Sequence, residues 1–501
     1  MRNDFRVADR RHLSVSFLLQ FIVALISGAT VATAQSSGSF SRTGDMIGTR
    51  TQHSATLIPS GQVLIVGGVS YSGPSKTLAT AEIYDPSAGM FRAAKAMLTA
   101  RRLHSATLLP DDKVLIVGGY GEDGTALASA ELFDPATGSF VPTSSLNTPR
   151  GGHTAILLDT GEVLVVGGYG VNTYPNIAPA ELYNPDSGTF RPAGAYVGRG
   201  GCDFCAPATR LPDGTVLFPG QTPAQIYDPL SDSFSPSGMM RNYESGAAVL
   251  SNGNVLFAGG EDIGRSASAE IYDPITHSFS ATAFMSARRV GHTLTSLPNG
   301  TVLAAGGETD SCSAGFCIFA GTISSAELYD ASTRTFVLAG QMTADRETHT
   351  ATVLADGRVL VAGGVSYGGI GIFHGSLSSA ELYAPDVLIA GPMIAPLSRD
   401  GRGDSSIFHA GTSDPVTPAD PAAAGESVDI YCTGLAVGNT FRPQVAIGGR
   451  LAAVVSVSNV PGLAGIVAVR ARVPSVATNT AVAVRVTSAD RPSNEVTMPV
   501  R

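Results

Sequence analysis

The chain has 501 residues, 44% of them hydrophobic, and a formal net charge of −9. That apolar content is ample for more than one folded domain, and the acidic balance excludes a binder of nucleic acid, because a phosphate backbone rewards clustered Lys and Arg. Fifty-eight glycines and thirty prolines call for many turns, and therefore many short strands.

The N-terminus places Arg2, Arg6, Arg10 and Arg11 before an apolar run from Leu13 to Ile26, then Ala32-Thr33-Ala34. A positive head, a short apolar middle and small residues at the end have the form of a secretory signal, with cleavage after Ala34. No later apolar run is long enough to span a bilayer. Residues 1–34 are therefore expected to leave a mature protein that is secreted or periplasmic and makes no stable membrane insertion.

From residue 38 onward one segment recurs with a period of roughly 40–60 residues, the mark of stacked or radial units. A double glycine returns at Gly67, Gly118, Gly167, Gly259, Gly306 and Gly363, with Gly220-Gln221 in the fourth copy. At a fixed distance before it stand His53, His104, His153, Ala206, Ser245, His292 and His349, each preceded by an arginine: Arg50, Arg101, Arg150, Arg199, Arg241, Arg289 and Arg346. Downstream come Glu82, Glu131, Glu181, Gln225, Glu270, Glu327 and Glu381, each two residues before a Tyr or Phe. Within a unit, His-x-Ala-x-Leu alternates as strand a, and Asp-Gly or Asn-Gly (Asp213-Gly214, Asn299-Gly300, Asp356-Gly357) makes the hairpin. Val-Leu-Ile-Val is a buried strand b, Ala-Glu-Ile-Tyr is strand c, and Asp-Pro-x-Thr-Gly-Ser-Phe turns into strand d. Four antiparallel strands repeated seven times make a seven-bladed β-propeller over residues 35–391.

At these residues the chain resembles the kelch repeats, and its Asp-Gly-x-Val-Leu-Val-x-Gly-Gly form is similar to the galactose-oxidase-like branch. Kelch repeats usually carry Trp at strand d, where this chain uses Phe and has no Trp. The repeated histidines sit at equivalent points around a wheel, so they read as hydrogen bonds within or between blades rather than as ligands of one ion. The Arg/Glu set, whose count tracks the blades, reads the same way.

Closure of the wheel falls to the N-terminus. Ser37-Gly38-Ser39-Phe40 copies Thr137-Gly138-Ser139-Phe140 with no strand before it, while Tyr383 is followed by no glycine turn. Phe40 is therefore expected beside Ala380–Tyr383 as the last strand of blade 7.

Residues 392–426, rich in Pro, Asp, Ser, Gly and Ala, read as a linker; they include Arg402-Gly403-Asp404, a tripeptide common by chance. Residues 427–501 alternate as short strands and resemble the small Ig-like β-sandwiches at the C-termini of exported bacterial proteins. The expected fold is all-β throughout. Among the five cysteines, Cys312 and Cys317 flank a small loop and are expected to pair. Cys202 and Cys205 can be a local disulfide, a redox pair or half a metal site, a structural disulfide being the preferred reading. Cys432 is left as a buried apolar residue.

A propeller followed by an Ig-like domain is the layout of galactose oxidase, and that resemblance implies a copper site of two tyrosines and two histidines. One Tyr-His pair there is adjacent in sequence and the second His comes from the C-terminal domain. This chain has no Tyr-His dipeptide and no histidine after His409. Neither a catalytic residue, a metal ligand nor a cofactor is assigned on this reading. The favoured function is an exported binding module for carbohydrate or protein; a galactose-oxidase-like or other carbohydrate-active enzyme with a non-standard site is the alternative. The b–c loops vary in length while the a–b and c–d turns are uniform, and variation on a rigid scaffold is where recognition sits. The b–c/d–a face is thus the expected ligand surface, through Tyr71, Tyr120, Tyr169, Tyr174, Phe319, Tyr367 and His374, with the blade 6 loop as its lip. Some of these rings are expected to plug blade edges instead.

Overall fold

A computed structural model describes residues 38–170, 178–194, 207–219, 223–241, 244–262, 264–313, 316–369, 372–388, 392–394, 406–412, 414–435, 443–460, 465–475, 480–488, 491–493 and 496–501. Seven four-stranded antiparallel sheets form the propeller. Blade 2 shows the pattern, with strands a to d at Ser105–Leu108, Val114–Val117, Ala130–Asp134 and Ser139–Pro142. Blade 7 takes Thr350–Val353, Val359–Ala362 and Ala380–Ala384 from its own repeat and Ser39–Arg42 from the N-terminus. Phe40 lies opposite Tyr383, as the sequence required.

Strand b carries a run of consecutive apolar residues, such as Val63–Val66, because both of its faces are covered by neighbouring blades. In blade 1, Val63 and Ile65 pack with Leu360 and Ala362 of blade 7, whereas Leu64 and Val66 pack with Val114 and Ile116 of blade 2. Each such side chain contributes about 1.5–3 kcal/mol of burial, so the core lies between blades rather than inside them. Strand d's Phe tilts against strand c's aromatic at 4.8–4.9 Å, as in Tyr84–Phe91, Phe133–Phe140 and Tyr329–Phe336. Phe thus fills the place that Trp takes in most kelch repeats. The a–b reversal is wider than a two-residue turn: Gly214 N–H donates to Leu211 O and Leu211 N–H to Thr215 O. Asp213 accepts Thr215 N–H and Oγ1–H, and Gly214 supplies φ +88°.

The polar repeat residues join this core. Arg101 and Glu131 form a buried ion pair at 2.9 Å, and Glu131 also accepts the N–H groups of Leu98 and Thr99. Arg50–Glu82, Arg150–Glu181, Arg289–Glu327 and Arg346–Glu381 repeat it. The pair is intrablade, holding the incoming loop against strand c. In blade 5 Arg241 is exposed, and Glu270 accepts only its backbone N–H among the bonds described, so burial raises the Glu270 pKa.

The histidines act between blades. His104 Nε2 bonds Ser54 Oγ of blade 1 (2.9 Å), His153 bonds Ser105 (2.8 Å), His349 bonds Thr293 (3.2 Å) and His53 bonds Thr350 (3.0 Å). His292 meets Gly246 where the others meet a hydroxyl. The double glycine makes room for them: a Cβ on Gly118 would come within 2.9 Å of His153 Cε1, and one on Gly119 within 3.0 Å of His104 Cβ. Both glycines also have positive φ, +60° and +96°.

The C-terminal domain is a nine-stranded antiparallel unit in which Arg450–Asn459 pairs at one end with Gln444–Ile447 and at the other with Val467–Arg472. Alternate residues of its strands, among them Val428, Ile430, Val445, Val469, Val484 and Met498, close one core. The expected linker is partly inside this domain: Met393–Ile394 and Ile407–His409 pair with Ser427–Thr433, and Ile394, Ile407, Val416 and Ala422 are buried in its core. Four apolar side chains spread through a polar stretch carry no period, which is why the sequence hid them. The Arg402-Gly403-Asp404 tripeptide lies outside the described residues.

This domain sits against the a–b/c–d turn face of blades 2 and 3. The buried Arg485 donates to Leu109 O at 2.9 Å and pairs with Asp112; Gln444 donates to Asp159 and Arg450 pairs with Asp186. Among the described residues no helix is long and apolar enough to cross a membrane.

Candidate functional site

On the opposite face, strands b and c of three blades are joined by small hairpins. Val69–Ser70 pairs with Lys76–Thr77 in blade 1, Glu308–Ser313 with Phe316–Thr322 in blade 6, and Val365–Gly368 with Ile372–Ser376 in blade 7. Each begins where the double glycine releases the chain from the blade, and in blade 6 a polar strand, Glu308–Ser313, pairs with a largely apolar one, Phe316–Thr322.

Side-chain and backbone bonds lock the three hairpins into one platform. Thr322 Oγ1 accepts Tyr367 N–H (2.9 Å), and Asp345 accepts both Thr322 Oγ1–H and Ser366 Oγ–H. Gly321 lets the blade 6 and 7 hairpins touch, since a Cβ there would lie 2.6 Å from Tyr367 O. Tyr71 N–H donates to Ser376 Oγ at 2.9 Å, tying blade 1 to blade 7. Thr77 N–H then donates to Glu122 of blade 2, which extends the arc.

This platform brings together Tyr71, Phe319 and Tyr367. Phe319 meets Tyr367 edge-on at 5.9 Å, Tyr367 leans on Phe373 at 5.1 Å, and Phe373 meets Tyr71 edge-on at 5.3 Å. Phe373, an aromatic of the same blade 7 b–c loop, is the link between them; its place opposite Tyr367 in the hairpin register is what joins blade 7 to blade 1. His374 is exposed beside it, with Nδ1 3.3 Å from Ser366 Oγ. Burial raises the Tyr367 pKa, and Glu347, Tyr71 and Glu308 add to the effect. The hydroxyl therefore stays a neutral donor and acceptor at every physiological pH.

Tyr120 and Tyr169 do not join the cluster. Tyr120 packs its ring over Gly151 and donates to Tyr169 O at 3.3 Å, and Arg102 stands 5.8 Å above that ring. These two seal blade 2 against blade 3. Tyr174, Cys202 and Cys205 lie outside the described residues. Cys312 and Cys317 are direct backbone partners near the tip of the blade 6 hairpin, and Cys432 is buried and free, its thiol pushed up to about 12 by burial.

Sequence reasoning also missed a set of left-handed residues at one equivalent place in five blades. Gln52, Leu103 and Thr348, each just before a blade histidine, have φ of +54°, +51° and +49°, and Gly152 and Gly291 hold the same place. Leu103 N–H donates to Gln52 O and Gly152 N–H to Leu103 O, passing from blade to blade. A left-handed β-branched Thr is strained, and adjoining blades hold it there.

Three comparisons bear on the fold. The Kelch motif matches residues 101–147, which span blade 2. No curated protein matches the chain. Among solved structures, a fungal alcohol oxidase of the AA5 family, in complex with copper, is similar with a TM-score of 0.59 at 16% identity, covering 93% of this chain and 99% of its own. Likeness at that identity shows the fold alone: the chain shares the oxidase's fold, and the matched Kelch motif is one of seven similar four-stranded blades.

Among the described residues the donor set does not fit a copper centre of two tyrosines and two histidines. The blade histidines are spread over five blades, buried, and four of them bonded to a neighbouring hydroxyl. In the C-terminal domain, His409 is engaged by Glu426 at Nδ1 and by the Asp420 carbonyl at Nε2. Among the described residues no cluster of three His, Cys, Asp or Glu could hold a metal ion.

Proposed function

We propose that this propeller is an exported binding module that recognises carbohydrate or protein through its b–c/d–a face. One observation carries the reading: hairpins from blades 6, 7 and 1 are cross-bonded so that Tyr71, Phe319, Tyr367 and Phe373 converge, and the C-terminal domain occupies the other face. Building such a platform costs loop entropy, and a rigid aromatic surface lowers the ordering cost of binding. Pairing of Cys312 with Cys317, adjacent in register, would restrain the most prominent hairpin further, in keeping with passage through an oxidising compartment.

The mature chain beginning at Gln35 is to be screened on a glycan array and against displayed peptides, then compared with Tyr71→Ala and Tyr367→Ala. Both variants should weaken binding at least tenfold with the melt unchanged, while Leu230→Ala on a c–d turn should bind as the parent does. The reading fails if Leu230→Ala abolishes binding and the tyrosine variants do not.

A further inference from the structure

Resting on that reading of the face, we infer that its natural ligand is a protein whose contact surface sets an apolar anchor among lysines or arginines. The tips of the blade 6 and blade 7 hairpins expose Ile318 (64%), Ile372 (61%) and Phe373 (43%), large apolar side chains on adjacent elements. Exposed apolar groups gathered at one place, rather than scattered singly, mark interaction sites.

Two features select a protein over a sugar or a lipid surface. The rings under the tips meet at interplanar angles of 80°, 47° and 89°. Each spends an edge or a face on its neighbour, which breaks up a flat platform for a sugar ring, and the aliphatic Ile318 and Ile372 are more exposed than Phe373. The second feature is charge. The two hairpins and the loop entering blade 7 carry the half-buried Glu308, Asp310 and Asp345 and the buried Glu347. Their only cation is Arg346, fully buried and bound to Glu381. Asp310 stands opposite Phe319 in the register, and Glu308 and Glu347 both act on the Tyr367 hydroxyl. An apolar tip over an acidic base repels anionic lipid and complements a basic rim around an apolar anchor, the arrangement that sets partner choice and on-rate.

The test is selection of a random linear-peptide phage library on the full mature chain, with the doubly substituted Ile318→Asp/Ile372→Asp protein as comparison. Both positions are exposed, and an unchanged melt certifies that variant's fold. Enriched peptides should combine an aromatic or aliphatic residue with Lys or Arg. They should bind at least tenfold more weakly to the double variant, and more weakly as salt rises from about 50 to 500 mM. Ile275→Asp, on an exposed c–d turn of the opposite face, should leave them unaffected. The inference is overturned by peptides that lack basic residues, by peptides that tolerate the double substitution, or by an empty selection. It is also overturned if anionic vesicles of phosphatidylcholine and phosphatidylglycerol bind in an Ile372-dependent way. Binding of arrayed glycans that is lost in Tyr367→Ala and in the double variant, without peptide binding, would overturn the protein ligand while leaving the face correctly assigned.

Discussion

Acid should unfold this propeller at a pH where most of its carboxylates are still charged. His53, His153 and His292 are buried, and burial beside Arg50, Arg150 and Arg289 holds their pKa down to about 3 from the ordinary 6.5; His104 and His349 are pushed down the same way. Unfolded, these imidazoles take a proton near pH 6.5; folded, they refuse it until the pH is far lower. The stability that depends on neutral histidine is therefore complete above pH 6.5 and is lost as the pH falls toward 3. At pH 5 the loss is about 2 kcal/mol for each of the first three, about 6 kcal/mol together. The other two add in the same direction, against a total of about 5–15 kcal/mol for a typical domain. Glu270, raised by burial, opposes this with one carboxyl. His409 has the opposite sign, its pKa raised by Glu426, but it belongs to the C-terminal domain. With no Trp in the chain, urea unfolding is best followed by tyrosine fluorescence and far-UV circular dichroism between pH 7.5 and 4.5. The urea midpoint should fall steeply below pH 6.5, and His53→Asn should reduce proton uptake on unfolding by about one. A midpoint that stays level down to pH 4.5 refutes the assignment of these histidines as buried and neutral.

Three further outcomes follow from the same lattice. Glu131→Leu strands the Arg101 guanidinium and two backbone N–H groups, and should cost about 3–5 kcal/mol in urea unfolding; Arg101→Met/Glu131→Leu together should recover much of it, and simple additivity would refute the pairing. Gly118→Ala places a Cβ 2.5 Å from Arg150 O at φ +60° and should leave little soluble protein. Gly61→Ala, with open space at φ +79°, should cost only about 1–2 kcal/mol, and equal effects at the two sites would contradict the close approach between blades. Phe40→Ala should destabilise by about 2–3 kcal/mol and make blade 7 the first site of limited proteolysis, whereas the exposed Val387→Ala should leave the cleavage pattern unaltered.

The repeat itself determined the architecture. Its spacing of His, double glycine, Glu and Tyr is local, and each part has one geometric use, so blade number, strand order and the closing role of Phe40 could all be read from the sequence. Periodic apolar strands likewise announced the C-terminal domain, but not its start, because Ile394, Ile407, Val416 and Ala422 are scattered through polar sequence and bury only when their partners are in place. Which aromatics form a site was a tertiary decision. Tyr71 and Phe373 are separated by most of the chain and meet because a wheel brings its first and last blades together. Tyr120, equally aromatic and equally placed in its repeat, turned to seal a blade edge because Gly151 of the next blade left room for its ring. Local spacing fixes what each blade must be; only closure of the ring decides which blades are neighbours, and the candidate site lies across that closure.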